Sequence, residues 1–263
     1  MNTPQTGWKL TMDNTMKTVL HQWIGVVVFA IAFAWVESAV VVYLRDIFYG
    51  GDFAFPLTFG WDGDQRDPAP LLWIELGREA ATLMMLLTVG WLAGKRLVER
   101  FSFFIIAFGI WDIFYYVWLY VMIKWPQSLM TWDLLFFIPL PWVGPVITPV
   151  IIALTMVAMG TLLVLYSANS IKLTWRWYDS AVELTLCVLM ITAFCWDWKN
   201  IMRIPGHPDF TGDPNPFAWW LYLPAYTCSV GYFAVRFFNM SPKSIKAFLN
   251  SLIRSRGVSG RDR

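Results

Sequence analysis

Six apolar stretches restrict this chain more than any other feature. They fall at about 20–44, 70–94, 101–124, 143–167, 178–197 and 217–238, each matching the ~20 residues an α-helix needs to cross a bilayer. In lipid, backbone N–H and C=O groups have no water to bond, so such stretches are selected as helices. Composition agrees: 57% of the 263 residues are hydrophobic and 14% charged, against about 25% charged in a soluble domain. The first stretch is too long for the ~7–15-residue core of a signal peptide. It also contains Glu37 and lacks a small-x-small cleavage site, so it reads as a span.

The predicted fold is an all-α integral membrane protein. It has a bundle of about six transmembrane helices, an outer-side re-entrant or interfacial loop and a C-terminal amphipathic surface helix. Residues 1–19 are expected to be a cytoplasmic N-terminal segment, 20–240 the six-helix domain and 241–263 a basic cytoplasmic tail. In that tail Ser241 and Pro242 make a helix-start signal. Ile245, Phe248, Leu249, Leu252 and Ile253 then recur at helical spacing among Lys243, Lys246, Arg254 and Arg256, a pattern suited to an anionic lipid surface.

Lysine and arginine set the orientation, because insertion retains them on the cytoplasmic side. Six crossings place Lys9, Lys17, Lys95, Arg96, Arg100, Lys172, Arg176 and the tail's basic residues on one side. Arg45, Arg66, Lys124, Lys199 and Arg203 fall on the other with most of the aspartates, including Asp46, Asp133, Asp197 and Asp209. The expected location is a bacterial-type plasma (inner) membrane with both termini cytoplasmic. The formal charge of +2 and the lack of a basic, aromatic-interleaved groove argue against nucleic acid as a partner. Of 17 tryptophans, many, among them Trp23, Trp73, Trp142, Trp177, Trp196 and Trp220, are placed to anchor helix ends at the headgroups. Trp111 and Trp118 lie deeper.

The chemistry-bearing residues are the ionisable ones within spans, which cost energy in lipid and therefore turn inward and find partners. They are Glu37 in the first span, Glu75, Arg78 and Glu79 in the second, and Asp112 in the third. Glu75, Arg78 and Glu79 share a helix face at i, i+3 and i+4. The orientation puts all five in the outer half of the membrane, with Tyr115 and Tyr116 one turn beyond Asp112. A buried cluster of four acids and one arginine is expected, whose excess charge requires protons or a cation. Asp179 and Glu183 are expected to snorkel or be solvated at the inner end of the fifth span, and Asp197 and Asn200, near its outer end, are within reach of the mouth of the cluster. The segment 124–149 carries Pro139, Pro141, Pro145 and Pro149, which discourage a helix. It is expected to form a lid over the cluster or a surface connector, in which Asp133 would be solvated.

Absences narrow the chemistry. Only two histidines occur, His21 and His207, and Cys187, Cys195 and Cys228 lack metal-ligand or haem-attachment spacing, reading as buried free thiols. No phosphate-binding loop, dinucleotide fingerprint or nucleophile elbow is present. Glu75-Leu76-Gly77-Arg78-Glu79 resembles the ExxxE element of undecaprenyl-pyrophosphate phosphatases, without that family's PGxSRSxxT companion. Arg78-Glu79 also resembles the start of the RExxE element of iron permeases, with Thr82 at the second glutamate position. Each match covers five residues and carries no function across. The residues name no cofactor, no metal and no protein partner. Three functions remain: cation or proton binding and transport, a membrane enzyme acting on a lipid or isoprenoid headgroup, and a structural or assembly subunit.

Overall fold

A computed structural model describes residues 5–49, 57–58, 69–168, 175–203 and 216–239. The expected surface helix of the tail, and His207, Asp209 and Asp213, lie outside the described residues. In chain order the elements are α1 (Gln5–Tyr49), β1 (Leu57–Thr58), α2 (Ala69–Ala93), α3 (Leu97–Ile123), β2 (Trp132–Phe136), β3 (Trp142–Pro145), α4 (Ile147–Ala168), α5 (Trp177–Cys195), α6 (Trp198–Ile201), β4 (Met202–Arg203) and α7 (Trp219–Asn239). Helix dominates, and among the described residues four helices are long and apolar enough to cross a membrane: α1 over Thr15–Asp46, α3, α4 and α5. The charges of Glu75, Arg78 and Glu79 dilute α2, and Pro224 and Arg236 interrupt α7. Even so, their 25 and 21 residues reach about 37 and 31 Å at ~1.5 Å per residue.

The sides of these helices are dressed for lipid. Val28, Leu154 and Leu184, all in mid-helix, are 60%, 55% and 66% exposed, where a protein in water would cover them. Cys187 and Cys228 share that outer surface and Cys195 is half-buried; all three are free thiols. Their expected burial is thus corrected, because the helices turn these positions outward. Trp73, Trp177, Trp196 and Trp220 are exposed, as anchors would be. Trp23 and Trp142 instead pack inside: Trp23 Nε1 donates to Thr161 Oγ1 at 3.1 Å, and Trp142 stacks on Phe194 at 6.0 Å.

Small residues bring α3 against its neighbours. A Cβ added at Gly109 would stand 2.6 Å from the Ala153 carbonyl oxygen, and one at Gly160 2.8 Å from that of Ser102. The α3 and α4 backbones therefore meet directly, the packing that operates where lipid removes the hydrophobic drive between helices. Val26, Ala30 and Ala34 of α1, Leu86 of α2, Phe103, Ile106, Ala107 and Trp111 of α3 and Val164 of α4 form one core. A second joins Met190, Ala193 and Phe194 of α5 to Phe217, Ala218, Tyr222 and Ala225. Tyrosines tie α7 to α4: Tyr222 donates to the Thr148 carbonyl and Tyr226 shares a bond with Thr155, both at 2.7 Å.

These contacts also fix direction. Gly90 backs onto Phe104 and Gly94 onto Arg100, so α2 and α3 are antiparallel. Gly109 meets Ala153 while Gly160 meets Ser102, so α3 and α4 are antiparallel too. Phe194 meets Tyr222 while Asp179 meets Arg236, making α5 and α7 antiparallel. The α2–α3 turn is closed by Glu99, which accepts the N–H groups of Lys95 and Arg96 and a hydroxyl bond from Ser167.

Segment 124–149 contains a regular element that its prolines disguise. Pro139 and Pro141 stand in a connection and Pro145 closes a strand, leaving β2 and β3 free to pair as an antiparallel hairpin. Asp133 faces Gly144 and Leu134 faces Val143, with an irregularity before Phe136 pairs with Trp142. The expected fourth span accordingly loses its first four residues to β3 and to the turn at Val146.

Candidate functional site

The hairpin packs against α3. Phe136 lies 6.4 Å from Phe108 and 6.1 Å from Trp111, ring centre to ring centre. Phe108 is 15 residues before the end of α3, or ~22 Å along a helix. Two groups of ionisable side chains lie around this contact.

The first group is centred on Arg78. Its Nε donates to Glu75 Oε2 at 2.9 Å, one terminal nitrogen bonds the other Glu75 oxygen, and the second terminal nitrogen bonds Glu37. Thr82, one turn along α2, donates to the remaining Glu37 oxygen at 3.3 Å. The i, i+3 spacing of Glu75 and Arg78 delivers the bidentate pair, the strongest arrangement a guanidinium makes with a carboxylate. Glu79, 3% exposed, points to the hairpin, and both its oxygens accept the Phe137 N–H, at 2.9 and 3.0 Å. That bond satisfies a main-chain donor at a place where the strand ladder has ended.

The second group joins the hairpin to α1 and α3. Arg45 donates to Asp133 Oδ1 at 3.3 Å and lies 3.8 Å over the Trp125 ring; it is 6% exposed and Asp133 1%. Asp112 and Tyr116, both buried, lie within electrostatic range of Asp133. Tyr116 stands beside that carboxylate and its hydroxyl interacts with it, but too loosely for a formed hydrogen bond, so the hydroxyl and Asp133 Oδ2 stay unsatisfied among the described residues. No described residue donates to Asp112 either, whereas every other buried acid of the two groups holds a donor. Tyr115 lies within range of Asp133, Arg45, Glu37 and Arg78, between the groups.

The structure thus brings Glu37, Glu75 and Arg78 into contact with Glu79 alongside, and sets Asp112 and Tyr116 against Asp133 instead. Asp133, solvated only if the segment were a surface connector, is in fact buried, because β2 carries it to Arg45. A signal for Arg45 did exist: Ala34, Ser38 and Arg45 stand at i, i+4 and i+11, on one stripe of α1, and Ala34 and Ser38 are fully buried. Asp133 offered only the weaker sign of a lone acid in the apolar run Trp132–Phe136.

Asp179 and Glu183 do not snorkel. Asp179 is fully buried, accepting from Tyr232, from Arg236 at 2.7 Å and from the Arg176 N–H at 2.8 Å, while Glu183 accepts from Ser229 at 2.6 Å. Ser229, Tyr232 and Arg236 recur at i, i+3 and i+7 on α7, a face turned to α5. Asn200 donates to Asp197 at 2.7 Å, a bond local to that turn. Among the described residues no three histidines, cysteines or acids are grouped to hold a metal ion.

Apolar helices with buried ionic groups between them are consistent with a membrane-embedded protein. No protein-family model, curated protein or solved structure matches the chain.

Proposed function

We propose that this is a six-crossing inner-membrane protein, with both termini cytoplasmic, that binds and passes protons or a cation through an outer-half carboxylate cluster under a re-entrant hairpin. One observation carries the reading: Glu37, Glu75, Glu79, Asp112 and Asp133 gather around the hairpin with two arginines, Arg78 and Arg45. Five carboxyls against two guanidiniums leave an excess that a low-dielectric interior does not tolerate, so mobile positive charge must join them. The alternating helix directions and the lengths of α2 and α7 support six crossings. Main chain away from helices is tolerated at membrane depth where protein covers it or a cavity hydrates it, and the Glu79 to Phe137 bond supplies such cover.

A lipid or isoprenoid headgroup suits Arg78 less well. A phosphate would need the guanidinium edges that Glu37 and Glu75 occupy, and would meet Glu79 beside them. A purely structural role has one observation in its favour, since Glu79 and Arg45 both pin the hairpin. Purified protein in lipid nanodiscs separates the readings. Glu79→Gln keeps an oxygen for the Phe137 N–H but removes a titrating group, so proton uptake after a pH jump, or cation binding by calorimetry, is expected to fall. If neither quantity differs from wild type, the transport reading is lost and the structural one gains.

A further inference from the structure

Charge compensation is uneven across the cluster. Glu37 and Glu75 share Arg78, Glu79 holds the Phe137 N–H, and Asp133 holds Arg45. Asp112 is 8% exposed and has neither a cation nor a donor among the described residues. Tyr116 stands one turn along α3 from Asp112, its ring 6.3 Å from Trp125, over which Arg45 lies with Asp133 at 3.3 Å. The Tyr116 hydroxyl and Asp133 Oδ2, on side chains 5% and 1% exposed, interact but close no formed hydrogen bond. Buried polar atoms without partners are rare in folded proteins and each requires an occupant or a role.

Resting on the proposed function and sharpening it, we infer that Asp112 and Asp133 form one proton-binding site, with Tyr116 as its hydroxyl partner, and that its ligand is a proton rather than a metal cation. Two carboxylates and the Arg45 guanidinium sum to one negative charge, which a single proton cancels. A proton needs one carboxylate lone pair, and the remaining oxygens and the Tyr116 hydroxyl can bond around it. A hard metal cation needs about six oxygens, and among the described residues no such shell surrounds Asp112. The groups facing Asp112 are Asp133 from the hairpin and Tyr116 from its own helix. Arg45 of α1 acts through Asp133, while Glu37 of α1 and Arg78 of α2 act on the neighbouring Tyr115. Helix α4 carries no acid or base other than its terminal Tyr166.

The experiment is a pH titration of the protein in nanodiscs, counting protons taken up and recording the carboxylic C=O infrared band in H2O and D2O. Asp112→Asn is expected to lose one proton of uptake and that band, and Tyr116→Phe to shift the band's frequency while keeping the proton count. Full uptake in Asp112→Asn with loss in Glu79→Gln overturns this inference and leaves the proposed function standing. Wild-type uptake in both variants, with no cation binding, overturns both. Sodium, potassium or calcium binding that disappears in Asp112→Asn also overturns the inference, in favour of a metal ligand. Should Asp112→Asn fail to fold, Tyr116→Phe decides: an unmoved band refutes the site.

Discussion

Arg45 and Asp133 are each tolerable only because of the other. A buried ion pair gains little over apolar side chains of equal volume, yet removing one member strands a charge and costs ~3–5 kcal/mol. Arg45→Met is therefore expected to destabilise the protein by about that amount, read from thermal or denaturant unfolding in detergent micelles. Arg45→Met combined with Asp133→Leu is expected to recover most of the loss. A double variant no more stable than the single would show that the pair does not act as a unit. Sequence made the Arg78 group legible because its members depend on local spacing and on depth within a span, both countable. The partnership of Arg45 with Asp133 spans 88 positions and exists only once the hairpin folds inward, so no local pattern reports it.

At the scale of elements, helices were readable because lipid leaves their backbones no alternative, while the hairpin was hidden by four prolines that rule out helix without excluding short strands between them. Helix α1 also begins at Gln5, well before the apolar stretch, because a polar segment continuing a stable helix need only keep its own hydrogen bonds. Packing between elements turns on glycines of two kinds. Gly109→Ala drives a methyl into the Ala153 carbonyl, and the forced separation of α3 and α4 is expected to cost ~1–3 kcal/mol. Gly77→Ala has nothing within 4 Å of the added carbon. It is expected to be neutral or stabilising by up to ~1 kcal/mol, since alanine favours helix. Unfolding midpoints of the two variants in the same lipid check the contrast; equal loss in both would mean that helix propensity, not close contact, governs these sites.

At the scale of the whole molecule, the proposed function depends on sidedness, because under it the cluster would exchange protons only with the compartment its hairpin faces. The α2–α3 turn holds Lys95, Arg96 and Arg100, while the far end of α3 passes to Ser128 and the hairpin. In the proposed orientation the positive-inside tendency puts the turn in the cytoplasm, and α3, at 27 residues and ~40 Å, is long enough to carry the chain to the other face. With the three native cysteines replaced by serine, Arg96→Cys is expected to resist a membrane-impermeant maleimide in intact cells and to react once the membrane is opened. Ser128→Cys, in an exposed turn, is expected to react in both conditions. Labelling of the two from the same side would remove α3 as a crossing. Asp112 and Tyr116 would then no longer sit in the outer half of a membrane, and the hairpin could not be an outward-facing plug. The opposite result, Arg96→Cys outside and Ser128→Cys inside, would preserve the site but reverse the compartment that loads it.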